Sequence, residues 1–75
     1  MPTRTTFHGA AYRRFRQKLR EARIEAKLTQ RDAAKSLGKP PSYIAKIEIG
    51  ERRVDFIELQ TLARLYKKPI GYFSR

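Results

Sequence analysis

Residues 30–49, QRDAAKSLGKPPSYIAKIEI, constrain the fold more than any other part of the chain. They hold two short runs with helical periodicity, separated by Gly38. Neither run is long enough to be stable alone, so the two must pack on each other. Small Ala34 stands where two such helices would cross, and Gly38 stands at the turn. Ile44 and Ile47, three residues apart, point back toward the first run. The spacing predicts a helix-turn-helix, whose second helix has the shape of a DNA major groove reader.

The flanking segments supply the rest of a bundle. Residues 1–9 lack helical periodicity and are expected to form a mobile arm ahead of a domain over 10–75. A first helix is expected from 9 or 10 to 26, with Ala11, Phe15, Leu19, Ala22 and Ala26 on one face. Arg13, Arg14, Arg16, Arg20 and Lys27 fall on or near the other side. Ile24 falls off the apolar stripe, as a lone exposed side chain or a contact outside the domain. Thr29 and Asp32 form a capping box for the second helix, with Ala33, Ala34 and Leu37 facing inward. Gly38 is expected in a left-handed conformation. The third helix begins at Pro40 or Pro41, where the missing N–H costs nothing, and ends at Gly50. A fourth begins after Asp55, with Glu58 completing a second capping box. Its apolar face is expected to be Phe56, Leu59, Leu62, Ala63 and Tyr66. Pro69 opens a short last helix carrying Ile70, Tyr72 and Phe73. No stretch alternates as a strand does, so the chain is expected to be all-α, a compact domain of five helices.

Composition narrows the partner. Eighteen Lys and Arg against seven Asp and Glu give a formal charge of +11. Such an excess suits a polyanion, because released counterions drive binding to phosphates. The chain has no cysteine and one histidine, His8, so no metal centre and no cofactor are expected. There is no carboxylate pair facing a cleft and little room for a substrate pocket, so no enzyme is expected. No apolar run reaches the length of a membrane span, and the N-terminus lacks a secretory segment. A cytoplasmic protein, associated with the nucleoid when bound to DNA, is the expectation.

The third helix divides by face. At about 100° per residue, Ile44, Ile47 and Glu48 share one side, and Ser42, Lys46 and Ile49 the opposite one, with Tyr43 and Ala45 on the flanks. Pro41, Ser42, Tyr43 and Lys46 are therefore the candidate base-reading residues. A lysine donates to guanine O6 and N7, a serine donates or accepts, and Pro41 offers apolar surface to a thymine methyl. The alternative for Lys46 is a phosphate. Glu48 lies inward, where an unpaired carboxylate would be costly. Arg23 borders the apolar face of the first helix and is its expected partner in a structural ion pair; the alternative is that Glu48 reaches solvent. Gln30 opens the second helix, whose N-terminus suits a phosphate. Lys39, Arg52 and Arg53 flank the third helix and are further phosphate candidates.

The segments REARIEAKLTQRDAAKSLGKPPSYIAKIEIGERR and LQTLARLYKKPIGYF resemble the lambda-repressor-like family, also called Cro/repressor or XRE-type DNA-binding domains. The resemblance rests on Gln30, Ala34, Gly38, Ile44, Ile47, Glu48 and Gly50 in this spacing. It implies five helices whose third reads the major groove, a phosphate on Gln30, and loop phosphates on Arg52 and Arg53. It also implies base reading by Pro41, Ser42, Tyr43 and Lys46, and an Arg23–Glu48 pair. Two departures stand out. Pro40 replaces a frequent Ser or Thr cap, and Lys27 replaces a frequent glycine, so Lys27 must itself turn left-handed. The expected function is sequence-specific regulation of transcription, as a repressor on a near-palindromic operator. Double-stranded DNA is the expected partner and the chain a homodimer through Ile70, Tyr72 and Phe73. The alternative is an antitoxin-type module that masks a toxin, with DNA binding secondary.

Overall fold

The computed structural model describes residues 9–74. Residues 1–8 of the expected N-terminal arm, His8 among them, lie outside that range. Four α-helices follow one another: α1 (Ala10–Glu25), α2 (Gln30–Ser36), α3 (Ser42–Glu48) and α4 (Phe56–Tyr66). A 3-10 helix, Ile70–Ser74, closes the chain, and there is no strand among the described residues. The expected fifth α-helix is therefore corrected to a 3-10 turn. Pro69 and Gly71 bracket its start, and the Tyr72 N–H bonds the Pro69 carbonyl at 3.0 Å, an i to i+3 bond.

Both capping boxes form as expected. The Thr29 hydroxyl accepts from the Asp32 N–H at 2.9 Å, and the Asp32 carboxylate accepts from the Thr29 N–H at 3.2 Å. Asp55 and Glu58 make the same exchange at 2.8 and 3.1 Å. Helix α3 has no side-chain cap. Pro41 precedes it with helical dihedrals, and the Tyr43 N–H reaches the Pro40 carbonyl at 3.0 Å, so a turn of prolines leads into the helix.

All four helices end in one way. Lys27, Gly38, Gly50 and Lys67 each adopt a positive φ, between 60° and 86°. The next N–H in each case returns five residues: Leu28 to Arg23, Lys39 to Ala34, Glu51 to Lys46 and Lys68 to Ala63. This closure satisfies carbonyls that the helix leaves open. Lys27 behaves as its place in the sequence required. Lys67 was not foreseen, since nothing about a lysine marks a left-handed site.

The core is built from Leu19 and Ala22 of α1, Ala33 and Ala34 of α2, Ile44 and Ile47 of α3, and Leu62, Ala63 and Tyr66 of α4. Both α2 alanines are fully buried, which lets α2 and α3 cross closely. Two expectations are overturned here. Phe56, placed on the apolar face of α4, is 60 % exposed, because the first turn of that helix lies beyond the core. Phe73, placed in the dimer face, is buried in the core, and Tyr72 packs edge-on against it at 5.0 Å. Ile70 remains partly open to solvent, at 38 %.

Gly38 and Gly50 differ in what surrounds them. A Cβ at Gly38 would meet nothing within 4 Å, whereas at Gly50 it would lie 2.9 Å from the Arg16 guanidinium carbon. Gly38→Ala should cost about 1 kcal/mol from backbone strain alone. Gly50→Ala should cost more, roughly 2 kcal/mol, because Arg16 must also move. Urea unfolding of both variants, alone and with Arg16→Ala, checks this. The excess at Gly50 should vanish once Arg16 is truncated.

Candidate nucleic-acid interface

Helix α3 is only seven residues long, so its orientation has to come from its neighbours. Its C-terminal half is held by α1. The Arg23 Nε and Nη2 donate to the two carboxylate oxygens of Glu48 at 2.7 and 3.1 Å. The remaining Arg23 nitrogen donates to the Leu28 carbonyl at 2.8 Å. The two charged side chains are 9 % and 4 % exposed, so the pair is buried and fully bonded. These bonds to Glu48 raise the Arg23 guanidinium further above its already high range. The expected pair is thus present in the fold, and Gln30 joins it: its amide donates to the same carboxylate at 3.0 Å. A second tie was not foreseen. Arg16 donates from Nη1 to the main-chain carbonyl of Glu48 at 3.2 Å, lying over Gly50.

The N-terminal half of α3 is held by α4. Tyr43 is 8 % exposed, and its hydroxyl donates to Glu58 at 3.2 Å. Arg52 bonds both oxygens of the same carboxylate, at 3.1 and 2.9 Å. The Arg52 guanidinium lies 4.7 Å from the centre of the Tyr43 ring and the Lys39 ammonium 5.4 Å from it. Tyr43, expected among the base-facing groups, is therefore a buttress turned toward α4. Tyr43 lies on a flank of α3, next to the inward Ile47 row, and its bond to Glu58 of α4 turns the ring inward. Burial raises the Tyr43 phenol above its ordinary range. Glu58 is held below its ordinary value, first by the hydrogen bond from Arg52 and further by the Asp55 N–H and Tyr43.

What remains on the outside of α3 is compact. Pro41, Ser42 and Lys46 are exposed, and Ile49, one turn further along the same face, is 60 % exposed. Lys39 and Arg53 are exposed on either side of this stripe in the sequence. Arg52, by contrast, is bound to Glu58. Ile49 fell on the outward face in the sequence but carried no role there.

Among the described residues, no helix is long and apolar enough to cross a membrane, and no cluster of acidic or histidine side chains is placed to hold a metal ion. The helix-turn-helix family model (HTH_3) matches residues 19–73, which is most of the chain. No match was found among curated proteins or among solved structures.

Removing one partner of a buried, bonded pair leaves the other charge uncompensated. Glu48→Ala is expected to destabilise the fold by about 3 kcal/mol or more, measured by chemical denaturation. A second test uses acid. Because the folded-state pKa of Glu58 is lowered from 4.5, its pairing stabilises the fold above that value and the benefit is lost as pH falls through the folded value. Stability measured from about pH 6 to about pH 3 should therefore decline, and Glu58→Gln should make the decline shallower.

Proposed function

The chain belongs to the XRE, or lambda-repressor-like, helix-turn-helix family of DNA-binding transcription regulators, and we propose that it acts as a repressor that binds a near-palindromic operator as a homodimer. One observation supports this most directly. Helix α3 exposes Ser42 and Lys46 one turn apart, while both of its ends are fastened to other helices. A short helix with a fixed face can present donors to base edges without losing much freedom on binding.

In this proposal Lys46 donates to guanine and Ser42 bonds a neighbouring base edge. Pro41 and Ile49 offer apolar surface to thymine methyls. Gln30, at the start of α2, together with Lys39 and Arg53, contacts the backbone and sets register. Arg52 contributes less to the backbone, since a phosphate would have to compete with Glu58 for it. Tyr43 supports the reading helix and does not touch bases. In a dimer, two reading helices would enter successive major grooves about 34 Å apart. Ile70 supplies apolar surface at the C-terminal side, while Phe73 serves the core. Ile24, 48 % exposed on the far side of the α1 stripe, is a feature that favours the antitoxin-type alternative.

Selection of bound fragments from random DNA tests the proposal. Enrichment of paired half-sites about one helical turn apart is the expected result, and recovery of unrelated sequences would overturn it. On a selected duplex, Lys46→Ala should weaken specific binding by roughly 1–3 kcal/mol and leave random DNA unaffected. Arg53→Ala should weaken all DNA alike and lower the salt slope by about one unit.

A further inference from the structure

Helix α1 carries a row of arginines beside the C-terminus of α3. Arg13, Arg16 and Arg20 recur at spacings of three and four, on one stripe about 10 Å long. With Gln17 they line an open hollow of about 380 Å³ whose remaining wall is Glu48, at the C-terminus of α3. Like charges so close on a helix destabilise it slightly.

The sign of this corner is unexpected. The C-terminus of a helix carries partial negative charge and repels anions. Here the last turn of α3 is reversed in sign. Arg16 binds the Glu48 main-chain carbonyl, and Arg23 neutralises the Glu48 carboxylate. The Arg16 Nε–H is buried without an acceptor, so the desolvation of this guanidinium is only partly offset within the protein. A hollow of about 410 Å³ beside Arg52 and Arg53 shows the contrast, since Asp55 and Glu58 line it as well. The α1 hollow has a single carboxylate, Glu48, which is buried and paired with Arg23.

We propose that Arg13, Arg16 and Arg20 form a second phosphate site, which takes the DNA backbone flanking the bases that α3 reads. It rests on the DNA-binding function proposed above. Its ligand class is the phosphodiester of duplex DNA, chosen because the hollow adjoins the C-terminal end of the reading helix itself. The duplex would then be gripped at both ends of α3: at α2 and Lys39 on one side, and at α1 on the other. Arg16 is the fixed member, oriented by the Glu48 carbonyl. Arg13 and Arg20, both exposed, are the members that reach outward.

The experiment measures affinity against salt for a random-sequence duplex of about thirty base pairs, and for a selected operator. Three proteins are compared: the unmodified chain, Arg13→Gln with Arg20→Gln, and Arg14→Gln with Lys18→Gln. The last removes the same charge from another side of α1, and circular dichroism verifies that each is folded. The α1 pair should lower the salt slope by about two units on both duplexes, with the preference for operator unchanged. The control pair should change the slope by less than half a unit. An unchanged slope in Arg13→Gln with Arg20→Gln, or an equal fall in the control, overturns this inference while leaving operator reading intact. Failure of the unmodified chain to bind any duplex would overturn the proposed function and this site together.

Discussion

A single buried carboxylate organises this domain. Glu48 sits on the last turn of α3, yet its bonds go to α1 through Arg23 and to α2 through Gln30. Three helices therefore meet on one charged group. A seven-residue helix has little stability of its own, and its direction is what its neighbours impose. A buried ion pair is seldom a large net gain over an apolar replacement, but breaking it is costly. Its value here is geometric: two-pronged contact with Arg23 fixes both position and rotation of the reading helix, which a greasy contact would leave freer.

The same economy governs the other acidic residues. In a chain with seven carboxylates and a net charge of +11, five have a visible structural partner. Asp32 and Asp55 cap helices, Glu48 and Glu58 brace the two ends of α3, and Glu25 pairs with Lys68 at 2.6 Å. Acids paired with bases or helix N–H groups offset less of the field outside. The remaining positive charge lies largely on exposed side chains, Arg13 and Arg20 of α1 and Lys39 and Arg53 on either side of α3 among them.

Features set by near neighbours in the chain could be read from the sequence, and most of those set by distant ones could not. Thr29 and Asp32, or Asp55 and Glu58, meet their partners three residues away, so the capping boxes followed from spacing alone. The Arg23–Glu48 pair followed from two facts, an inward acid and a bordering base, because few other partners were available. Tyr43 lay on a flank, and only the position of α4 decides that its ring turns inward to Glu58. The same holds for Phe56 and Phe73, whose apolar character is equal while their burial is opposite. The Arg16 contact leaves no mark on the sequence, because its acceptor is a main-chain carbonyl. Only Gly50, where a side chain would collide with that guanidinium, hints at it.

The two ends of α3 are braced by different chemistry, and this has a consequence for specificity. At the N-terminal end, Tyr43, Arg52 and Glu58 form a network with solvent at its edge, and the Arg52 side chain is 40 % exposed. At the C-terminal end the Arg23–Glu48 pair is nearly dry. Electrostatic contacts strengthen as water is removed, so the C-terminal brace is the stiffer one. Of the exposed polar side chains of α3, Ser42 lies at the wetter N-terminal end and Lys46 lies in the last turn, beside the dry pair. The helix is therefore held by a dry bond at one end and a wetter one at the other. Under the proposed function, contacts of Ser42 depend on the wetter end of the helix, and those of Lys46 on the frame that the dry pair holds.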